Sequence, residues 1–276
     1  MPALEDELGD IISKARGGLG LSIARLADAT GISDREIGEI ESYRLIPDRP
    51  RLDALAQALS LDPAKLAAIA DGWTPPPITP SIPGLVLETV PVTMGGYGEN
   101  CYIVGCAETR AAAVVDPGGA VDSITSQLDT GGLRLELILI THGHGDHVGG
   151  LARLMTNKPD ARVVSHPLER GSFAPSTHWE PAEEGTAIRL GNLSVIALHT
   201  PGHTRGSTCY LVNGRCFVGD TLFSGSIGRP ASSDVYRPML SAIRTKLLSL
   251  PDSTILLPGH GPATTVGEEK GHNPFF

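Results

Sequence analysis

Long apolar runs are missing from this sequence of 276 residues: none approaches the ~18 residues that a membrane-spanning helix requires. Cysteine is scarce. The four present, Cys101, Cys106, Cys209 and Cys216, show neither CxxC spacing nor the density of a disulfide framework. They are expected to be reduced, mostly buried thiols in a cytoplasmic protein. The opening residues MPALEDELGD are acidic and set no basic segment before a hydrophobic one, so no signal peptide is expected. Positive charge is in deficit as well, with 22 Lys and Arg against 31 Asp and Glu, a net −9. That balance disfavours nonspecific attraction to nucleic acid or to an anionic membrane. What the chain has is a hydrophobic content of 41%, ample for a core in one large and one small domain.

The stretch DGWTPPPITPSIPG, Asp71 to Gly84, holds five prolines. Proline lacks a backbone donor and restricts its predecessor, so this stretch cannot be a helix interior or a central strand. It divides the chain into residues 1–72, a linker at 73–84, and residues 85–276. Before it the pattern is helical: Ile23, Leu26 and Ala27 share a face, as do Ile37 and Ile40, then Leu52, Leu55 and Leu59. Ser33 to Glu36 reads as a capping box, and Asp62-Pro63 as an N-cap with proline at the first helical position. Five short helices are expected. Beyond the linker short β-rich runs dominate, from Val86–Val90 to Thr254–Leu257, with helices around Val121–Leu128, Val148–Met155 and Tyr236–Leu248. That texture predicts a mixed α/β domain with polar chemistry in the loops at strand ends.

The densest polar chemistry is ITHGHGDH, which leaves the apolar run Leu137–Ile140 and enters a helix near His147. His142 and His144 alternate in a loop with glycine between them, and Asp146 and His147 follow at the helix start. Two pairs of ligands from one loop suit two neighbouring metal ions better than one. His203, Asp220 and His260 occupy similar strand-end positions. Nitrogen and oxygen donors without cysteine suit zinc, iron or manganese. His166, His178, His199 and His272 stand alone and read as ordinary hydrogen-bonded residues.

With these motifs the sequence from Leu85 to Phe276 resembles the metallo-β-lactamase superfamily, and within it the glyoxalase II-like hydrolases (hydroxyacylglutathione hydrolase-like). VVDPGG (Val114–Gly119), THGHGDH (Thr141–His147), HTPGHTRGS (His199–Ser207), GDTLF (Gly219–Phe223) and LPGHGP (Leu257–Pro262) match in order and spacing. The resemblance implies an αββα sandwich with metals at one edge. One metal, zinc before iron or manganese, would take His142, His144 and His203. The other would take Asp146, His147 and His260. Asp220 would bridge them, Asp146 and Asp220 being the carboxylates of the catalytic centre, and Asp116 would support the histidine loop from behind. The chemistry implied is attack of a metal-bridging hydroxide on a 2-hydroxyacyl thioester.

Sister families fit less well. β-Lactamases usually carry Cys or Ser where Asp220 stands, and the acyl-homoserine lactonases place a tyrosine where this chain has Phe223. Arg229 stands second in GRPASSD (Gly228–Asp234), where the glyoxalase type has GRTD. Arg229, and Tyr97 in TMGGYGENCYIV, are the substrate-contact candidates. The C-terminal helical extension that holds glutathione in glyoxalase II is not expected, since the chain ends 16 residues past His260. A persulfide dioxygenase, with one iron on His142, His203 and Asp220, is the alternative chemistry.

Gly9 to Ala70 resembles the helix-turn-helix domains of the Cro/repressor family, with Ser33–Ser42 as the recognition helix. Yet SDREIGEIES carries Asp34, Glu36, Glu39 and Glu41 against a single Arg35, and residues 1–72 hold eight Lys and Arg against thirteen Asp and Glu. Phosphate neutralisation supplies most nonspecific DNA affinity, so no nucleic-acid partner is expected. Self-association, as in a homodimer, or covering of the enzyme is the expected role. A regulator that senses a metabolite and binds DNA is the competing class. No membrane partner is expected.

Overall fold

The computed structural model describes residues 3–79, 82–94, 97–174 and 178–276, with only the backbone of Met94 and Tyr97. Five helices come first: α1 (Leu8–Gly18), α2 (Ile23–Thr30), α3 (Asp34–Glu41), α4 (Arg49–Leu59) and α5 (Pro63–Ala70). Their starts follow from local chemistry. At α3, Ser33 Oγ accepts the Glu36 N–H at 3.3 Å while the Glu36 carboxylate accepts the Ser33 N–H at 3.2 Å. At α5, Asp62 accepts the N–H groups of Ala64 and Lys65, and Pro63 has no N–H to leave unpaired.

The remainder is two sheets face to face. In the first, β1 (Leu85–Met94), β2 (Tyr97–Cys106), β3 (Ala111–Val115), β4 (Arg134–Leu139), β5 (Arg162–Ser165) and β6 (Trp179–Pro181) lie side by side in that order, parallel from β3 onward. In the second, the spatial order is β14 (Thr264–Thr265), β13 (Ile255–Pro258), β10 (Arg215–Gly219), β9 (Thr208–Val212), β8 (Leu193–His199) and β7 (Ala187–Leu190). A two-stranded hairpin of β11 (Leu222–Phe223) and β12 (Ser226–Ile227) stands beside it. The two-residue strands, β6 and β7 were not expected from the sequence, because none shows an alternation long enough to register.

Strand alternation sends side chains into two different cores. Tyr102, Val104, Val115, Tyr210, Val212 and Phe217 fill the space between the sheets. Cys101, Ile103, Val114 and Ile138 face outward and are covered by α6 (Val121–Thr130) and α8 (Leu151–Asn157). β3 and β13 are apolar along their whole length because both of their faces are buried. All four cysteines are free and buried.

The outer face of the second sheet is covered by α9 (Ser233–Ala242), a π-helical turn (Ile243–Leu247), α10 (Val266–His272) and the five N-terminal helices. Ile11, Ile12, Leu26, Ile37, Leu55 and Leu66 join Cys216, Val218, Leu222, Tyr236 and Met239 in one continuous core. A Cβ on Gly18 would stand 2.5 Å from the Tyr236 ring, so the α1 backbone packs directly on that side chain of α9. Each fully buried leucine or isoleucine contributes ~1.5–3 kcal/mol, so this seam is a substantial stabilising surface. The tail joins it: the Asp62 N–H donates to Pro274 O at 2.8 Å, and Trp73 stacks on His272 at 4.7 Å. The architecture is the αββα sandwich that the resemblance implies, with a helix-turn-helix module packed onto one helical layer.

Candidate metal centre

Strands β3, β4, β8, β10 and β13 all deliver their C-terminal ends to the same edge, and the loops leaving them carry Asp116, the His142–His147 run, His203, Asp220 and His260. Backbone hydrogen bonds lock the two halves together there: Asn100 N–H to Gly259 O at 2.7 Å and Thr208 N–H to Thr141 O at 2.9 Å. α7 (Gly145–Val148) starts at His144, placing Asp146 and His147 in its single turn.

The seven ligand candidates gather into two adjoining groups. His142, His144, His203 and Asp220 form one, and Asp146, His147 and His260 the other, with donor atoms in each group within 4.8 Å of one another. The carboxylate of Asp220 divides between them. Its Oδ2 lies 3.5 Å from His203 Nε2 and 4.0 Å from His142 Nε2, while its Oδ1 lies 3.4 Å from His147 Nε2 and 3.6 Å from His260 Nε2.

The rings are aimed by what holds their other nitrogens. Asp116 accepts His147 Nδ1–H at 2.9 Å, Gly98 O accepts His260 Nδ1–H at 2.6 Å, and Arg229 O accepts His203 Nδ1–H at 2.9 Å. Thr141 Oγ1 gives its hydrogen to Asp116 at 2.6 Å and sits 3.1 Å from His142 Nδ1, which fixes that ring the same way. In the neutral rings these tautomers leave each Nε2 lone pair facing the centre. His142 Nε2 and His203 Nε2 then stand 3.1 and 3.0 Å from His144 Nδ1, three nitrogens that a single cation between them would satisfy.

Two buried atoms of the cluster, His147 Nε2 and Asp220 Oδ1, have no hydrogen-bond partner among the described residues. Leaving such atoms unpaired is costly, and a divalent cation would satisfy both. Burial works against the Asp220 anion, yet the imidazoles of His147, His142 and His203 hold its carboxyl far below the usual range. Burial likewise opposes charge on His147, but Asp220 and Asp116 outweigh it and raise the ring. His142 is driven well below its ordinary value by burial and by neighbouring imidazoles. The donor set and its orphaned atoms fit divalent metal.

Asp116 sits at φ +51°, a left-handed conformation that aspartate tolerates better than most residues. This turns its carboxylate back under the histidine loop, where it also accepts the Thr141 N–H at 2.8 Å. Gly259 has no room for a side chain, since a Cβ would fall 2.6 Å from both Asp220 Oδ1 and His147 Cε1. Arg229 is exposed and lines the same cavity. The Tyr97 side chain lies outside the described residues. His166 and His199 stack on each other at 4.0 Å and, like His272, take no part in these groups.

Two carboxylates escaped the sequence reading. Glu169, buried in the 3₁₀ turn Pro167–Ser172, accepts the N–H groups of Gly143 and Gly206 at 2.8 Å each and the Thr204 hydroxyl at 2.7 Å. It ties the loop of His142 and His144 to the loop of His203. Glu99 on β2 is 2% exposed, and neither of its oxygens has a partner among the described residues. Burial, reinforced by Asp116 and Asp146 against the pull of His147, pushes its carboxyl up to about 10, so it is neutral at pH 7. A single acid in an apolar strand was the only available signal for it.

A profile of the metallo-beta-lactamase superfamily matches residues 94–260, and a helix-turn-helix profile matches residues 12–66. The hydroxyacylglutathione hydrolase GloC of Haemophilus influenzae is 34% identical over 213 residues, covering 69% of this chain and 97% of that one. Among solved structures, BLEG-1 B3 metallo-beta-lactamase superposes with a TM-score of 0.60 at 31% identity, over 69% of this chain and 99% of that one. TTHA1623 in a di-iron-bound form superposes with a TM-score of 0.56 at 35% identity, over 68% and 100%.

Proposed function

Because the chain belongs to the metallo-β-lactamase superfamily, we propose that it hydrolyses a 2-hydroxyacyl thioester at a centre of two divalent metal ions. His142, His144 and His203 would hold one ion, Asp146, His147 and His260 the other, and Asp220 would bridge. Zinc is the first choice, and iron or manganese suit the same donors. The observation that carries this reading is the division of Asp220, one oxygen toward each histidine group. The likeness to a hydroxyacylglutathione hydrolase and to a di-iron protein supports it. Two divalent cations bound here supply a nucleophilic water near neutral pH and a Lewis acid for the acyl oxygen.

The protein's own part is orientation and charge. Asp116, Gly98 O and Arg229 O hold three rings in one tautomer, so the ligand atoms need no rearrangement. Asp220 is held ionised, and the hydrogen bond to His260 lowers Asp146 as well. Neither carboxyl can deliver a proton to a leaving group at neutral pH, which favours a leaving group that departs as an anion. A thiolate does so.

Metal analysis of the purified chain is expected to give two ions, and lactoyl thioesters to exceed β-lactams and homoserine lactones in kcat/KM. A lactam as best substrate would sink the reading, and so would a single iron with oxygen consumption on a persulfide.

The helix-turn-helix is proposed to bind no DNA. Supporting this, α3 faces solvent with Asp34 and Arg35, and four of the module's six arginines are engaged by its own acids, Arg35 with Glu39, Arg51 with Asp48 and Glu36, Arg49 with Asp53 and Arg16 with Glu41, which leaves Arg25 and Arg44 as exposed arginines without an ion pair among the described residues. Few donors remain for phosphates. In a selection on random duplexes at low salt, no sequence is expected to be enriched; recovery of a specific site would refute the proposal.

A further inference from the structure

The cavity over the metal centre, about 440 Å³, is lined on one side by Asp146, His203, Asp220, Phe223, Arg229 and His260. Its other side comes from the N-terminal module: Glu5, Asp6, Asp10 and Lys14. This segment is anchored. Lys14 and Asp6 form a buried ion pair, Asp6 also takes the Ser226 hydroxyl at 2.5 Å, and Lys14 Nζ donates to Ile227 O at 2.8 Å while lying 4.8 Å over the Phe223 ring. Next to the ligand His260, a Cβ on Gly261 would fall 2.9 Å from the Glu5 backbone nitrogen. The module therefore forms part of the catalytic cavity.

The charges lining the cavity are mostly committed. Lys14 is spent on Asp6, and Asp10 accepts the Tyr43 hydroxyl at 2.6 Å and the Glu7 N–H at 3.1 Å. Asp146, His203, Asp220 and His260 belong to the metal centre. Among the described residues, Glu5, Asp10 and Arg229 line the cavity without an ion pair; Asp10 is held in place by Tyr43 and Glu7, whereas Glu5 and Arg229 have no side-chain partner. Arg229 stands on the loop that follows β12, and Glu5 stands on the module. A substrate entering with its thioester carbonyl at the metals has to place the rest of its carrier between these walls.

We propose that Glu5, carried into the catalytic cavity by the helix-turn-helix module, selects the charge of the thiol carrier, favouring a carrier with a cationic group over an anionic one. The proposal rests on the hydrolase reading above and names its substrate class. A unit charge several ångströms from Glu5 in a partly exposed cavity changes affinity by about fivefold, and reversing Glu5 doubles the effect on a logarithmic scale. Because the interaction is electrostatic and partly exposed, it weakens as salt is added.

The test uses the full chain loaded with cobalt, titrated with thiocholine (cationic) and mercaptoethanesulfonate (anionic) and followed by thiolate-to-cobalt absorption. Relative to the native chain, Glu5→Gln is expected to shift the thiocholine-to-sulfonate affinity ratio about fivefold or more toward the anion. Glu5→Lys should shift it roughly twentyfold or more, and 0.5 M salt should shrink both shifts. Arg229→Gln should move the ratio the opposite way. In parallel, lactoyl thioesters of the same two thiols should show the shift in KM with kcat held within about twofold. Ratios that stay within twofold across the Glu5 variants would overturn the proposal, as would equal loss of both thiols in Glu5→Gln, which marks a merely structural role. If the native chain turns over neither thioester, the hydrolase reading fails, and the cobalt titration still decides the role of Glu5.

Discussion

Asp220→Ala is expected to lose turnover by at least about 10²–10³-fold and to release one or both metal ions. The carboxylate is buried, and its two oxygens face different histidine groups, so a single truncation removes a donor from each. What remains of the first group is three imidazoles with nitrogens 3.0–3.1 Å apart and no anion among them, while Asp146 in the other group is left as the one carboxylate ligand for two dications. Asp220→Asn keeps the volume and removes the charge, and should retain more metal than alanine yet little turnover. Atomic absorption on dialysed protein, with turnover on the best thioester, checks both. An alanine variant that keeps two ions and native turnover would refute the bridging role.

The second large effect is on stability. Lys14→Met should cost about 3–5 kcal/mol, because it strands the Asp6 carboxylate in the interior with Ser226 as its remaining partner. Lys14 also tethers the module to β12 through Ile227 O. Burial already raises Asp6 above the ordinary aspartate value of 3.8, with Lys14 pulling the other way, so removing Lys14 raises it further. The sign of the pH dependence follows. With the folded value above the unfolded one, the penalty is full when the pH lies above the folded value, and it fades as the pH falls toward 3.8 and Asp6 takes up a proton. Denaturant unfolding of the metal-loaded chain at pH 8 and pH 5 measures this. A loss below 1 kcal/mol at pH 8, or a loss that grows on acidification, would count against a buried pair. The double variant Asp6→Leu with Lys14→Met should recover much of the loss, since a buried pair is often replaceable by apolar residues.

How far the site could be read from the chain depends on how local its chemistry is. His142, His144, Asp146 and His147 fall within six residues after an apolar strand, so their crowding is visible without coordinates. His203, Asp220 and His260 are dispersed, but each follows a strand and precedes or contains a glycine turn, and the structure brings all three to the same edge. Glu169 has no such signature. It is 26 residues from Gly143 and 37 from Gly206, and it acts on backbone N–H groups, which every residue has. Glu99 is equally silent, since burial without a partner is a property of packing.

The sequence by itself determined which segments are helix and which are strand wherever periodicity, caps and prolines speak locally: the capping box at Ser33, the Asp62-Pro63 start, and the paired apolar runs of the two sheets. It also determined the chemical type of the centre, because imidazole and carboxylate groups crowd at strand ends only where a cation repays their desolvation. Only the tertiary structure decided where the helix-turn-helix module goes. The apolar faces of α1 and α5 announce that they are buried, but the hydrophobic effect is non-directional and names no partner. The shared core of Ile11 and Ile12 with Val218, Leu222 and Tyr236 settles that partner, and it carries Glu5 to the mouth of the cavity.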